Sequence, residues 1–272
     1  MIAHASSHGR VFALLSCKGG VGTTQLTVQL GRLLAQRWQL NVLIVDWVHP
    51  FGDAALLLST EDPHTHLGDL LRQPERLDAA LLDSALLRPQ PRLAVLAAAE
   101  KANLQPLLQH QAVQRLITLA RERFDCILCD CGRQFDPLLM ALLQDADRVM
   151  PVFQPTLAMI RDARRLLVAL LEAGIGPDRV LPVLNRMETR HQPLLDLLEQ
   201  VLGTRLQHRL PEHPDFAVPL HQTRDHSWQH GMVRLAATLA RKPEPQDDPS
   251  GILQRWWRKQ WRWNPQPPEK LP

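Results

Sequence analysis

The chain has 272 residues, 45% of them hydrophobic, and a formal net charge of +3. This length and apolar content suffice for one sizeable core, and α/β folds of this size are commonly single domains. The charge is too small to imply nucleic acid as a partner by itself. No apolar run approaches the length of a membrane span, and residues 1–10 lack the apolar stretch of a signal peptide. The 4 cysteines, without such a peptide, indicate a reducing cytoplasm.

The segment 11–37 predicts a strand, a glycine loop and a helix. Residues 11–15 are a short apolar run typical of a buried strand, and leucines recur at helical spacing from Leu26 to Leu34. Between them lie Ser16, Cys17, Lys18, Gly19, Gly20, Val21, Gly22, Thr23 and Thr24. The glycines allow backbone N–H groups to turn inward, and the helix N-terminus adds a partial positive charge. The segment therefore predicts a phosphate site, with the Thr24 hydroxyl placed for the magnesium of a triphosphate. An ordinary strand-to-helix turn is the alternative.

Two further predicted strands end in a carboxylate. Residues 41–46 are almost continuously apolar up to Asp46, which fits a parallel sheet covered on both faces. Residues 124–130 form the next such strand and end at Asp130. Because the carboxyl ends of parallel strands meet at one edge, the two carboxylates are expected near the glycine loop.

The cysteines around this last strand, Cys126, Cys129 and Cys131, raise the question of a metal site. In a regular strand, residues 126 and 129 point to opposite faces, so the cysteines cannot converge on one ion. No histidine lies close to them in the sequence. We therefore interpret them as small buried hydrophobes rather than as metal ligands.

The rest of the chain continues the alternation of helices and strands. Helices are predicted at residues 111–123, 137–144, 156–173 and 232–241, and strands at residues 93–96, 148–153, 180–186 and 206–210. Thr156 is expected to cap its helix and Gly174 to end it. This alternation predicts an α/β fold with a doubly wound, mostly parallel sheet, right-handed crossovers, and a ligand at the carboxyl ends of the strands.

The glycine loop resembles the deviant P-loop of the MinD/ParA family, Lys-Gly-Gly-x-Gly-Lys-Thr, and the resemblance covers roughly residues 11–241. It implies a P-loop NTPase fold, ATP and Mg²⁺ as ligands, and a homodimer formed with ATP in which Lys18 reaches the partner's nucleotide. The nucleotide-binding residues it implies are Gly19, Gly20, Val21, Gly22, Thr23, Thr24, Asn185 and Arg186. It assigns Thr24, Asp46 and Asp130 to the magnesium, partly through the water shell of the ion. At Asn185 a side-chain amide suits the adenine edge, and an Asn that only stabilises a loop is the alternative.

Some positions depart from the family pattern. The second lysine of the loop is Thr23 here, which removes a cation from the β and γ phosphates. The family also reads Asp-x-Asp after the second strand, where the second Asp positions the attacking water, and Val48 replaces it here. Residues 131–133 read Cys-Gly-Arg where the family usually has a proline. We therefore expect ATP to be bound but hydrolysed slowly or not at all.

The segment 51–53, Phe-Gly-Asp, is similar to the CpaE/TadZ branch of the family, and so are residues 67–78 and 93–96. A turn in which Asp53 caps the following helix also explains the segment. The resemblance implies a cytoplasmic ATP-dependent localisation or assembly factor, peripherally associated with the inner membrane and serving Flp/Tad-type pilus machinery. It would be a short form without a receiver domain. The alternatives are the cellulose-synthesis accessory branch, which serves polysaccharide machinery, a ParA-type partition protein that binds DNA non-specifically, and a metabolic ligase of the same superfamily.

The C-terminus is compositionally separate from the domain expected at residues 1–241. Residues 242–250 read as a proline-rich linker, residues 251–263 as an amphipathic helix and residues 264–272 as a disordered tail. On a helical wheel one half carries Ile252, Leu253, Trp256, Trp257, Trp261 and Trp263, and the other carries Arg255, Arg258, Lys259 and Arg262. This pattern is typical of a helix in the membrane interface. The alternatives are packing on the domain or a partner, and stacking on single-stranded nucleic acid, which is not the expected partner.

Overall fold

The fold is organised on one sheet. The computed structural model describes residues 9–59, 61–98, 110–133, 135–212 and 226–243, and these residues form an 8-stranded sheet. The strands are β1 (Arg10–Ser16), β2 (Val42–Asp46), β3 (Leu87–Gln90), β4 (Leu93–Leu96), β5 (Cys126–Asp130), β6 (Arg148–Phe153), β7 (Val183–Met187) and β8 (His208–Pro211). Their order is β3-β4-β2-β5-β1-β6-β7-β8. Neighbouring strands are parallel except for β3 against β4.

Helices connect these strands. They are α1 (Thr23–Arg37), α2 (Ala54–Leu58), α3 (Leu67–Leu71), α4 (Ala79–Ser84), α5 (His110–Arg123), α6 (Pro137–Asp145), α7 (Leu157–Glu172), α8 (Gln192–Leu202) and α9 (His226–Ala240). Helix α1 packs against α2, α9 and the central strands, whereas α5 packs against α3, α4 and α6. In the described part of the chain, no helix is both long and apolar enough to cross a bilayer.

Burial explains why the central strands are so apolar. Every residue of β2 and of β5 is buried, although successive side chains point to opposite faces of the sheet. Helices therefore cover both faces, which confirms the predicted α/β fold with a doubly wound, mostly parallel sheet. Cys126, Cys129 and Cys131 are buried in this core, and burial raises the pKa of the Cys129 thiol to about 12. The cysteines are thus small buried side chains, as expected.

Local sequence signals predicted the bounds of helix α7 closely. Thr156 caps α7 as predicted, because its hydroxyl accepts a hydrogen bond of 3.2 Å from the backbone N–H of Met159. Gly174 follows the helix with a φ of 78°, in the left-handed region that favours glycine. These interactions join residues close in the sequence, so they can be inferred from it directly.

Other elements differ from the prediction at their boundaries. Strand β7 starts at Val183, not at residue 180, because Pro177–Arg179 form a short 3-10 helix and Val180 makes only an isolated bridge to Val149. Helix α9 starts at His226, ahead of the predicted residue 232. Strand β3 was not predicted at all, since it is a partly exposed edge strand containing Pro89 that forms through its pairing with β4.

Parts of the sequence-based prediction lie outside the described residues. These are the amphipathic helix at residues 251–263, the tail at residues 264–272, and the linker at residues 242–250 beyond Pro243. They remain predictions.

Candidate functional site

The central strands bring three segments together at one edge of the sheet. Strand β5 lies between β1 and β2, with Asp130 opposite both Leu14 and Asp46. The loops that follow these strands line a cleft of about 490 Å³, made largely of residues 18–25, 47–51 and 131–133. The cleft therefore lies where the sequence predicted a ligand, at the carboxyl ends of parallel strands.

The loop after β1 leaves backbone donors available at the start of α1. Gly20 and Gly22 have φ values of 77° and 89°, which side chains with a Cβ rarely adopt. Gly22 is the N-cap of α1, and neither a side-chain cap nor an acidic residue occupies the first turn. The first N–H groups of a helix lack intrahelical partners and carry a partial positive charge, so this helix start suits an anion.

Side chains from outside the loop hold its carbonyl groups. The Ser16 hydroxyl donates to the carbonyl of Lys18 at 2.9 Å, and the Gln154 amide donates to that of Gly20 at 3.2 Å. The Nδ2 of Asn185, fully buried in β7, donates to the carbonyl of Val21 at 2.8 Å. With its carbonyls bound in this way, the loop is held in one conformation. Gln154 was not recognised as a site residue from the sequence.

Asp46 and Asp130 are fully buried carboxylates side by side. Asp46 accepts hydrogen bonds from the backbone N–H groups of Val48 at 3.1 Å and of Ala54 at 2.9 Å. Burial, with the neighbouring charge of Asp130, raises the pKa of Asp46 to about 7. Burial also raises the pKa of Asp130 to about 6, although the Thr24 hydroxyl and the Gly132 amide face this carboxylate and oppose the rise. Among the described residues neither oxygen of Asp130 has a hydrogen-bond partner in good geometry.

Asp46, rather than Asp53, explains the conformation of the segment 51–53 and the start of α2. Asp53 is the N-cap residue of α2 but its side chain makes no capping hydrogen bond. Asp46 binds the Ala54 N–H instead, so the alternative in which Asp53 caps this helix is wrong. A Cβ added at Gly52 would lie 2.5 Å from either carboxylate oxygen of Asp46, closer than any real contact. Position 52 is therefore a glycine because the chain passes directly over Asp46.

The residues of the cleft fit a magnesium-bound nucleotide. Thr24 lines the cleft near Asp130, whose buried carboxylate suits a cation, and the start of α1 suits the phosphates. Thr24 and Asp130 would hold the metal, with Asp46 behind them. When bound, magnesium would supply positive charge that neutralises the phosphates of the nucleotide.

Lys18 lies within its own chain's site. Its Nζ is 2.8 Å from Oδ2 of Asp162 on α7, and 40% of the Lys18 side chain is exposed. The hydrogen bond from Lys18 lowers the pKa of Asp162, which Arg161 also contacts at 3.2 Å. Asp162 was missed because no local pattern connects it to the loop. The role of Lys18 across a dimer stays a prediction.

Asn185 and Arg186, the residues expected to recognise adenine, make contacts that were not expected from the sequence. One N–H of the Asn185 amide is used by the loop, which favours the loop-stabilising alternative, and the buried amide oxygen has no hydrogen-bond partner among the described residues. Arg186 has a φ of 57°, and its Nε is 4.0 Å from Oε1 of Glu212. Base recognition by Asn185 and Arg186 remains a prediction.

The departures from the family pattern are visible in the cleft. The Thr23 side chain is buried, and its hydroxyl has no hydrogen-bond partner among the described residues. Val48 packs against the loop after β5, since a Cβ added at Gly132 would lie 3.1 Å from Cγ2 of Val48. His49, beside it, has its Nε2 3.8 Å from Oδ2 of Asp136. Neither His49 nor Asp136 was predicted from the sequence.

A first strand that leads through a glycine loop into a helix, beside strands ending in carboxylates, defines the P-loop NTPase fold. The family model described as an AAA domain matches residues 9–170, more than half of the chain. The chain is 30% identical over 190 residues to the putative septum site-determining protein MinD of Guillardia theta, covering 70% of this chain and 68% of that protein. The chain belongs to this family, as a MinD/ParA-type P-loop ATPase.

Solved structures agree with this assignment. The ParA family ATPase of Chlorobium tepidum TLS is 27% identical and superimposes with a TM-score of 0.76, covering 85% of this chain and 99% of the other. The septum site-determining protein MinD of Pyrococcus horikoshii OT3, complexed with Mg-ADP, is 22% identical with a TM-score of 0.69, covering 85% and 95%. The chain spans about two thirds of the length of the curated relatives that it matches, 65% for MinD of Synechocystis.

Proposed function

We propose that this chain binds ATP with Mg²⁺, dimerises around the nucleotide and acts as a localisation or assembly factor at the inner-membrane surface. The observation that carries the proposal is the pairing of an uncapped helix start at Gly22 with the fully buried carboxylate of Asp130. One attracts phosphate and the other attracts a cation, so a magnesium-bound nucleotide satisfies both. The relative from Pyrococcus horikoshii complexed with Mg-ADP supports this choice of ligand.

Calorimetric titration with ATP tests the proposal. We expect binding in Mg²⁺ and a loss of affinity in EDTA, because the cation neutralises the phosphates beside Asp130. Asp130→Asn should reduce the magnesium dependence, whereas Asp178→Asn, at an exposed carboxylate, is the control. No binding of ATP by the unaltered protein, or equal affinity with and without Mg²⁺, would contradict the proposal.

Hydrolysis is proposed to be slow because Thr23 and Val48 replace a phosphate-bound cation and a water-positioning carboxylate. Single groups that stabilise charge in phosphoryl transfer change rates by about 10³–10⁵. Steady-state phosphate release should therefore be low, and Thr23→Lys combined with Val48→Asp should increase it. A turnover of about 1 per second by the purified protein would contradict this prediction, because that rate is already at the lower end of the range for kinases.

Exposed apolar side chains around the cleft support a dimer that closes over the nucleotide. Phe51 lines the cleft and is 84% exposed, and Leu157, at the start of α7, is 69% exposed. Phe135, after the loop that borders Asp130, is 44% exposed. Burying large apolar side chains stabilises an interface, so these exposed residues, of which Phe51 lines the cleft, favour association with a second copy.

We propose pilus assembly of the CpaE/TadZ type as the particular role. The Phe-Gly-Asp segment at residues 51–53 supports it through its similarity to that branch. The cellulose-synthesis accessory role and the ParA-type partition role remain alternatives, and the similarity to a ParA family ATPase is compatible with the latter. Deletion of the gene distinguishes them: loss of surface pili supports the proposal, whereas loss of cellulose or of plasmid retention supports an alternative. DNA binding at physiological salt would favour partition.

A further inference from the structure

The cleft lacks a cation in the usual place. Thr23 stands where the family's loop lysine would contact the phosphates, and Lys18 is paired with Asp162 at 2.8 Å. His49 faces Asp136 at 3.8 Å. Nucleoside triphosphates are polyanions, so a site that binds them without a free cation would depend on backbone amides and magnesium alone.

Arg133 is the remaining cationic side chain among the described residues that line the cleft. It lies in the loop after β5, and its Nη1 is 4.0 Å from the position that a Cβ would take on Gly19. The guanidinium therefore reaches across the cleft to the first glycine of the loop. No ion pair involves Arg133 within the part of the chain that the structure describes, so its charge is not committed to a carboxylate there.

The position of Arg133 along the loop indicates which end of a nucleotide it would meet. Arg133 comes shortly after Asp130 in the chain, in the loop that follows β5. Asp130 is the carboxylate that fits magnesium. Magnesium in these sites bridges the β and γ phosphates. Strand β7, which carries Asn185, lies on the other side of β1 from β5. A nucleotide bound in this orientation would have its terminal phosphates on the side of Arg133 and its base towards β7.

We propose that Arg133 is a phosphate-binding residue that replaces, from the loop after β5, the cation that Thr23 removes from the glycine loop. The inference rests on the proposed ATP binding. A guanidinium presents a planar fork of N–H donors that can bind two phosphate oxygens at once. Because the contact is made at the terminal phosphate end, it favours ATP over ADP.

Titration of the full-length protein with ATP and with ADP, in Mg²⁺, tests this role. A charge-assisted hydrogen bond from an exposed side chain corresponds to about a tenfold change in affinity. Arg133→Ala should weaken ATP binding by about tenfold and ADP binding by less, and Arg133→Lys should lose less than Arg133→Ala. Arg164→Ala removes the same charge from an exposed position of α7 outside the cleft and should change neither affinity.

Rescue gives a second and independent measurement. If Arg133 performs the task of the missing lysine, Thr23→Lys should restore ATP affinity in the Arg133→Ala background and should increase it less in the unaltered protein. Unchanged ATP affinity in Arg133→Ala, an equal loss for ATP and ADP, or the absence of rescue would overturn the inference. If the unaltered protein binds no ATP, the proposed function itself fails; if it binds ATP but Arg133→Ala binds equally well, only this inference fails.

Discussion

Burial raises the pKa of Asp130 to about 6 and that of Asp46 to about 7, so both side chains are harder to ionise in the folded protein than in the unfolded chain. A raised acid pKa means that ionisation destabilises the fold above the folded pKa. This cost is fully present above about pH 7, decreases as the pH falls through the folded values, and disappears below the unfolded pKa. The same unpaired charge that suits a cation therefore reduces the stability of the protein alone.

Asp130→Asn tests this cost. We expect the substitution to stabilise the protein, measured without nucleotide at pH 8, by about 1–3 kcal/mol, because it removes an ionised group whose burial raises its pKa to about 6. At about pH 4, close to the ordinary carboxyl pKa of 3.8 in the unfolded chain, Asp130 is protonated in the folded protein and largely so in the unfolded chain, so the difference should be small. Urea unfolding at both pH values measures it, with Asp178→Asn as the exposed control. Equal stability of Asp130→Asn and the unaltered protein at pH 8 would show that the charge is compensated.

The pair between Lys18 and Asp162 bears on dimerisation. Lys18 cannot contact a partner's nucleotide while it binds Asp162, so Asp162→Asn should lower the ATP concentration needed for dimerisation. Lys18→Ala should weaken the ATP-dependent dimer, and the double variant should behave like Lys18→Ala. Light scattering with and without ATP measures this, and Asp196→Asn, on the exposed face of α8, serves as the control. An unchanged dimer in Lys18→Ala means that Lys18 acts only within its own loop.

At the scale of elements, the glycine loop is placed by the close contact of α1 with β2. A Cβ added at Gly31 in α1 would lie 2.6 Å from Cδ1 and 3.1 Å from Cγ1 of Ile44, which is fully buried in β2. The helix therefore approaches the sheet as closely as it does because residue 31 has no side chain. That approach sets the distance between the start of α1 and the carboxylates of β2 and β5.

Gly31→Ala is expected to destabilise the domain by about 1 kcal/mol, because overpacking outweighs the better helix propensity of alanine. Ile44→Val removes the Cδ1 that the new methyl group meets. We therefore expect Gly31→Ala to cost less in the Ile44→Val background, and a double-mutant cycle in urea unfolding measures this coupling. Additive costs would indicate that α1 shifts away from the sheet rather than pressing on Ile44.

At the scale of the whole molecule, we propose a division into a nucleotide-binding domain at residues 1–241, a linker at 242–250 and a membrane-binding segment at 251–263. Each large apolar side chain that enters an interface contributes about 1.5–3 kcal/mol, and each basic residue near an anionic leaflet about 1 kcal/mol. One short segment then binds reversibly, and a dimer that presents two gains from avidity. Nucleotide state would control membrane residence in this way.

Co-sedimentation with anionic vesicles tests the segment. The full-length protein should sediment with ATP, and a protein truncated after Ser250 should remain in solution. Trp256→Ala with Trp257→Ala should weaken binding without removing the basic residues. Equal sedimentation of the full-length and truncated proteins would falsify the membrane assignment, and DNA binding that is lost on truncation would favour the partition alternative.

Local patterns predicted the helix cap at Thr156 and the glycine loop because each depends on residues close in the sequence. The carboxylates at the ends of β2 and β5 were predicted from their strands alone, because parallel strands bring their carboxyl ends to one edge. The alternative of a cap by Asp53 at α2 is wrong, since the side chain that binds the Ala54 N–H is Asp46 and not the adjacent Asp53. The sequence shows which residues are able to cap but not which one is near.

The sequence by itself determined the fold class, the glycine loop and the carboxylates at the strand ends, because periodicity, glycine conformations and strand ends are properties of short segments. Only the tertiary structure decided the partners of those groups. Asn185 binds the carbonyl of Val21 across 164 positions of the chain, and Lys18 is held by Asp162 on α7. The guanidinium of Arg133 reaches Gly19 from another loop. The physical reason is that the order of strands in the sheet, and not distance along the chain, determines which side chains meet at its edge.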